Sequence, residues 1–146
     1  MKLERMIGAR IKSLSNLLKR QVDQSMSEIG IEPLTGMQGR IVGYLGHHQD
    51  QDVFQRDIEE EFQIRRSTAT GILQLLEKKG LLERRPVARD GRLKKLVLTP
   101  KALAIHQCIE ERIIQSENDL YSCLTPEELE QFFVITDKLR HHLEKK

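Results

Sequence analysis

Residues 63–98 constrain the fold more than any other stretch, because they read as a helix with two unlike faces followed at once by a basic hairpin. Within IRRSTATGILQLLEKKG, Ala69, Ile72, Leu73 and Leu76 recur at helical spacing on one face. Ser67, Thr70, Gly71, Gln74 and Lys78 recur on the opposite face. One side is suited to packing and the other to touching a partner. Lys78 and Lys79 fall in the last turn, where cations complement the negative end of the helix dipole. Gly80 follows as the residue best able to take a left-handed closing conformation, so the helix is expected to end near Lys79.

The continuation LLERRPVARDGRLKKLVLT predicts two short strands, 81–87 and 93–99, around a tip of Ala88, Arg89, Asp90, Gly91 and Arg92. Asp90-Gly91 is the hairpin signal, since such a tip needs a residue comfortable at positive φ. Just upstream, VFQRDIEEEF predicts a shorter helix with Phe54, Ile58 and Phe62 inward and its acids outward. Its partner is expected to begin near Gln63 or Ile64, after the short connection that a helix-turn-helix requires. Two such helices and a basic hairpin make a winged helix-turn-helix. From Ile64 to Lys95 there are ten Lys or Arg against three acids, a balance of +7, whereas the whole chain is only +2. The remainder therefore carries −5, and the positive charge gathers where a phosphate backbone would be met.

Flanking this unit are helices with more apolar surface than it can cover. Residues 1–29 predict one helix striped by Leu3, Met6, Ile7, Ile11, Leu14, Leu17, Leu18 and Val22, broken by Gly30 and Pro33. Thr35 and Gln38 have capping-box spacing for a second helix over 36–45, with Met37, Ile41, Val42 and Leu45 inward. Gly36, Gly39 and Gly43 lie roughly along one side and are expected to admit another helix closely. Thr99-Pro100 opens a long helix to about residue 120, carrying Leu103, Ile105, Ile109, Ile113 and Ile114. Thr125-Pro126-Glu127-Glu128 opens the last, which carries Leu129, Phe132, Phe133, Thr136, Leu139 and Leu143.

The expected fold is mainly α with a small β-wing: an N-terminal dimerisation helix (1–32), the winged unit (33–98) and C-terminal dimerisation helices (99–146). The terminal helices are expected to meet a second copy through Leu3, Ile7, Ile11, Leu14, Phe132, Phe133, Leu139 and Leu143.

Other classes find little support. No apolar run approaches membrane-spanning length, and Lys2, Glu4 and Arg5 interrupt the start where a secretory core would lie, so a cytoplasmic location is expected. Cys108 and Cys123 offer neither a disulfide framework nor a CxxC module. With no basic group evident beside either, they read as buried or half-buried inert thiols rather than an oxidation switch. His106 and Glu110 stand one helical turn apart, and His47 or His48 could approach them. No HxxxH set appears, however, and the histidines read as ordinary surface groups with no metal site. No nucleophile, base and orienting group can be assembled, which leaves an enzyme nothing to rest on and implies no cofactor.

The segment IRRSTATGILQLLEKKGLLERRPVARDGRLKKLVLT, the following TPKA and the upstream LTGMQGRIVGYL resemble the MarR (multiple antibiotic resistance regulator) family. The likeness covers nearly the whole chain and is most specific over residues 34–104. It implies a triangular homodimer, with terminal helices at the apex and two winged units at the base. It also implies repression from palindromic operators, relieved by a small molecule, oxidant or metal. The family's RST.T pattern falls on Arg66, Ser67, Thr68 and Thr70, and the wing's D.R pattern on Asp90 and Arg92. One departure is Gly71, where the family very often has an arginine; Arg65 stands to supply part of that charge.

On this reading Arg65, Arg66, Ser67, Thr68, Thr70 and Gln74 face the major groove, while Arg89, Asp90 and Arg92 form the wing contact. Arg92 suits the narrow, negative minor groove, Asp90 orients its guanidinium, and Arg89 meets the backbone. The alternative, from a different class, is a winged-helix module that docks the same face on an acidic protein.

Overall fold

Thr35, Thr99 and Thr125 set where three of the helices begin. The Thr35 hydroxyl accepts the Gln38 N–H and the Gln38 side chain accepts the Thr35 N–H, both at 3.2 Å. Thr125 and Glu128 make the same reciprocal pair at 2.9 and 3.2 Å. Thr99 accepts the Ala102 N–H at 3.2 Å and donates its own hydroxyl to the Gly80 carbonyl at 2.7 Å. These bonds satisfy N–H groups that the first turn of a helix leaves without partners.

The computed structural model describes residues 2–145. Its elements are α1 (Ile7–Glu28), α2 (Gly36–His47), α3 (Gln55–Phe62), α4 (Arg66–Lys78), β1 (Leu82–Val87), β2 (Asp90–Leu98), α5 (Pro100–Ser122) and α6 (Pro126–Glu144), preceded by a 3-10 turn at Leu3–Arg5. The architecture is mainly α with a two-stranded β-wing, and helices flank it at both ends. The single N-terminal helix expected from the apolar stripe is interrupted at Met6, whose backbone is extended at φ −82, ψ 124. Arg10 donates from Nε to the Glu4 carbonyl at 2.9 Å and so caps the short turn from outside. Met1, the first residue of that expected helix, lies outside the described residues.

The core sits in the winged unit. Ile41 and Val42 of α2, Ile58 of α3, and Leu73 and Leu76 of α4 are fully buried, and Leu81, Leu82, Leu96, Leu98 and Ala102 close the cluster. Burying one such side chain contributes roughly 1.5–3 kcal/mol. Met37, expected inward, is only half-buried against this core. A backbone bond of 2.7 Å from the Leu96 N–H to the Val53 carbonyl ties β2 to the segment before α3. α6 buries no residue within the protomer.

Two local expectations are corrected. An added Cβ at Gly36 or Gly43 would meet nothing within 4 Å, and at Gly39 only the Leu34 Cβ at 4.0 Å. The close approach occurs instead at Gly46, where a Cβ would stand 2.5 Å from the His106 ring. Periodicity along α2 cannot reveal where α5 crosses it. In the hairpin, Val87 pairs with Asp90, so the turn is Ala88-Arg89, and Asp90, Gly91 and Arg92 belong to β2. Gly91 is not at positive φ; among the described residues only Gly30, Gln63 and Gly80 are. The pairing shifts register between Pro86 and Val87. Pro86 has no N–H to carry the ladder onward, which makes it a natural place for the irregularity.

Candidate nucleic-acid interface

The turn between α3 and α4 is made by Gln63 at φ 50, ψ 48, a left-handed conformation that side-chain-bearing residues rarely adopt. Its amide donates to the Glu60 carbonyl at 2.6 Å, and the Ile64 N–H reaches back to the Glu59 carbonyl at 3.1 Å. Arg65 is then the N-cap and α4 starts at Arg66, two to three residues later than its periodicity suggests. Ala69, Leu73 and Leu76 are buried and Ile72 half-buried, while Arg65, Arg66, Ser67, Thr68, Gly71, Gln74 and Lys78 are exposed. Lys79 is the C-cap and Gly80 closes the helix at φ 72, both as expected.

Thr70 is half-buried, and its hydroxyl accepts a bond from the Gln55 side-chain amide at 2.9 Å. The Gln55 carbonyl oxygen accepts in turn from Arg84 at 3.3 Å, and Arg84 donates to Glu77 at 2.7 Å. This chain locks the start of α3, the exposed side of α4 and the base of β1 together. Neither Gln55 nor Arg84 was legible as part of the site, because both are joined to it across 15 and 29 positions of sequence. Arg84 is thereby accounted for as a positioning group.

The wing tip leans on the same region. The Arg89 guanidinium carbon lies 5.7 Å from the centre of the Phe54 ring, within reach of a cation–π contact at the N-cap of α3. The Arg92 side chain is 98% exposed, with Nε 4.0 Å from the Asp90 carboxylate. That carboxylate makes its close bond, at 2.9 Å, to the Arg92 backbone N–H. Asp90 therefore fixes the backbone at the start of β2 more than it holds the guanidinium. Of the ten basic residues in the window, Arg84, Arg85 and Lys95 pair with Glu77, Glu83 and Asp52, and Lys79 donates to Gln38. Among the described residues Arg65, Arg66, Lys78, Lys79, Arg89 and Lys94 have no carboxylate partner. The unneutralised charge sits at the start of α4, at its end and on the wing.

Two other features lie outside this face. A cavity of about 430 Å³ opens between α1, α2 and α5, lined by Leu18, Val22, Met26, Ile109 and Ile113 together with charged residues of both signs, among them the ion-paired Lys19 and Asp23. The donor atoms of His47, His106 and Glu110, expected as separate surface groups, lie within 4.8 Å of one another. Cys108 is half-buried as expected, but Cys123 is exposed, since it closes the end of α5 where little packs against it.

Residues 32–93 match the family model described as MarR family. These residues belong to the MarR family. Its members are transcription regulators and not enzymes. The MarR unit and its flanking helices are similar to crystal structures of MepR, a transcription regulator of the Staphylococcus aureus multidrug efflux pump MepA. That likeness is 28% identical, covers 94% of this chain and 98% of the other, and has a TM-score of 0.73. The S. aureus MepR–DNA complex matches at a TM-score of 0.75 with the same identity and coverage. MepR bound to ethidium bromide matches at 0.67, with 28% identity over 97% of this chain and 99% of the other. Among the described residues, no helix is long and apolar enough to cross a membrane.

Proposed function

We propose that this protein is a cytoplasmic homodimeric transcription regulator that represses from a palindromic operator and lets go when a small molecule binds. The observation that carries the reading is the joined surface of α4 and the wing, where six cations lack carboxylate partners beside an exposed hydroxyl and amide face. Ser67, Thr68, Thr70 and Gln74 are the groups for base edges, with Arg65 and Arg66 at the helix start for phosphates. Arg89 and Arg92 serve the wing contact, and Asp90 fixes the backbone at the start of β2 that presents Arg92. The likeness to the MepR–DNA complex supports this use of the face.

The dimer reading rests on apolar groups left bare by the protomer. Leu3, Ile7, Ile11, Leu14, Phe132, Phe133 and Leu143 are all exposed, while Leu139 is half-buried. A twofold axis through these helices would cover them and set two winged units side by side. The apolar cavity between α1, α2 and α5 supports release by a small, largely apolar effector. The similar MepR has been captured bound to a small molecule, ethidium bromide.

A fluorescence-anisotropy titration against duplex DNA over a range of salt tests the reading. Each neutralised phosphate adds roughly 0.9 to the slope of log affinity on log salt, and a palindrome should bind more tightly than a random duplex. Equal, salt-insensitive binding to any duplex would instead favour docking of this face on an acidic protein.

A further inference from the structure

We propose that His47, His106 and Glu110 form a site for a divalent transition-metal cation, best suited to Zn²⁺, at the joint between the winged unit and the helix that leads out of it. His106 and Glu110 stand four positions apart on α5 and so share a face. His47 is the last residue of α2. Gly46 brings the two helices together: any side chain there would enter the space of the His106 ring, 2.5 Å from an added Cβ. The sequence thus places a glycine where an imidazole must be seated against backbone.

The spacing of the donors suits an ion. His47 Nε2 lies 3.3 Å from Glu110 Oε1, and all three donor atoms fall within 4.8 Å. Zinc binds nitrogen at about 2.0–2.1 Å and carboxylate oxygen at about 2.0–2.2 Å, so neighbouring donors on a tetrahedral ion stand about 3.3–3.5 Å apart. The His47–Glu110 pair already has that separation. The His47 and His106 rings meet edge to face, with centroids 5.1 Å apart and planes at 85°, so they do not stack closed over the gap. An ion pair of His47 with Glu110 would explain two of the groups and leave His106 without a role. Nearby His48 is engaged elsewhere, its Nδ1 2.7 Å from the Tyr44 carbonyl.

Two imidazoles and one carboxylate select against Mg²⁺ and Ca²⁺, which take oxygen shells, and suit Zn²⁺ with water in the fourth position. His106 and Glu110 are half-buried and His47 exposed, so an ion can enter from solvent. Once bound, it would tie α2 to α5 beside the close approach at Gly46.

The test is calorimetric titration of ZnCl2 into the chelator-stripped full chain, beside His106→Gln, Glu110→Gln and the double variant His141→Gln/His142→Gln. We expect one Zn²⁺ per protomer and a rise in Tm with zinc in the wild type and in the tail variant. His106→Gln and Glu110→Gln should each keep the metal-free Tm and lose affinity by more than the roughly 10–100-fold that an outer-shell partner is worth. Gly46→Ala, which keeps every donor but displaces the His106 ring, should also weaken binding. Absence of zinc binding by the wild type, unchanged affinity in His106→Gln and Glu110→Gln, or loss confined to the tail variant would overturn the site.

Discussion

The Gln55 side chain donates to the Thr70 hydroxyl at 2.9 Å and thereby ties the first helix of the helix-turn-helix to the exposed face of the second. Because Gln55 also accepts from Arg84, one amide holds α3, α4 and β1 in register. Gln55→Ala is expected to cost about 1–3 kcal/mol of stability, since it removes two such bonds at roughly 0.5–1.5 kcal/mol each. It should also lower operator affinity by freeing the Thr70 side chain. Denaturant unfolding and anisotropy measure the two effects; full affinity in the destabilised variant would show that Thr70 does not depend on this support.

Arg92 has a side chain 98% exposed, so its removal should leave folding intact. If it enters the minor groove, Arg92→Ala weakens binding to every duplex by about 1–3 kcal/mol, with little change in preference among sequences. Unaltered operator affinity would take the wing tip out of the contact.

Gln74 lies on the exposed side of α4, opposite Leu73 and Leu76 in the core. An amide can make two bonds to an adenine edge, a contact worth about 1–3 kcal/mol of discrimination. Gln74→Ala is expected to relax preference at one operator position, measured by comparing single-base variants of the site. A uniform loss across those variants would reassign Gln74 to the phosphate backbone.

Phe132 is 52% exposed on a helix that buries nothing within the protomer. Phe132→Glu should therefore spare the fold and weaken self-association by more than about 2 kcal/mol, the scale of an interface hot spot. Sedimentation velocity would then show monomers at concentrations where the parent is dimeric; an undisturbed dimer would move the interface off this part of α6.

Burial first, and then the carboxylates of Glu61 and Asp57, raise the Tyr44 phenol above its ordinary value of 10.0. A pKa raised on folding contributes stability that is fully present below the unfolded value and is lost as pH rises through the folded one. Tyr44→Phe should therefore flatten the fall of stability above about pH 10. Unfolding curves across that range check it, and parallel slopes in the two proteins would contradict it.

Much of this architecture was legible from residues a few positions apart. The caps at Thr35, Thr99 and Thr125, the two faces of α4 and its closure at Gly80 all depend on contacts within three or four residues, and all form as their spacing implies. The wing was legible as a hairpin but not in its turn, since Asp90-Gly91 carries a strong local signal that the irregular pairing at Pro86 displaces. Resemblance to the MarR family pointed to the same face that periodicity and charge had picked out.

What the sequence determined by itself was the order of helices, the side of α4 that faces outward and the pooling of positive charge between residues 65 and 95, because backbone hydrogen bonding and side-chain period act locally. Tertiary structure alone decided which of those charges remain unpaired, that Gln55 braces Thr70, and that Gly46 rather than Gly36, Gly39 or Gly43 admits a neighbouring helix. Those outcomes turn on where two helices cross, and a crossing point is set by the packed core of Ile41, Ile58, Leu73 and Leu76 acting together.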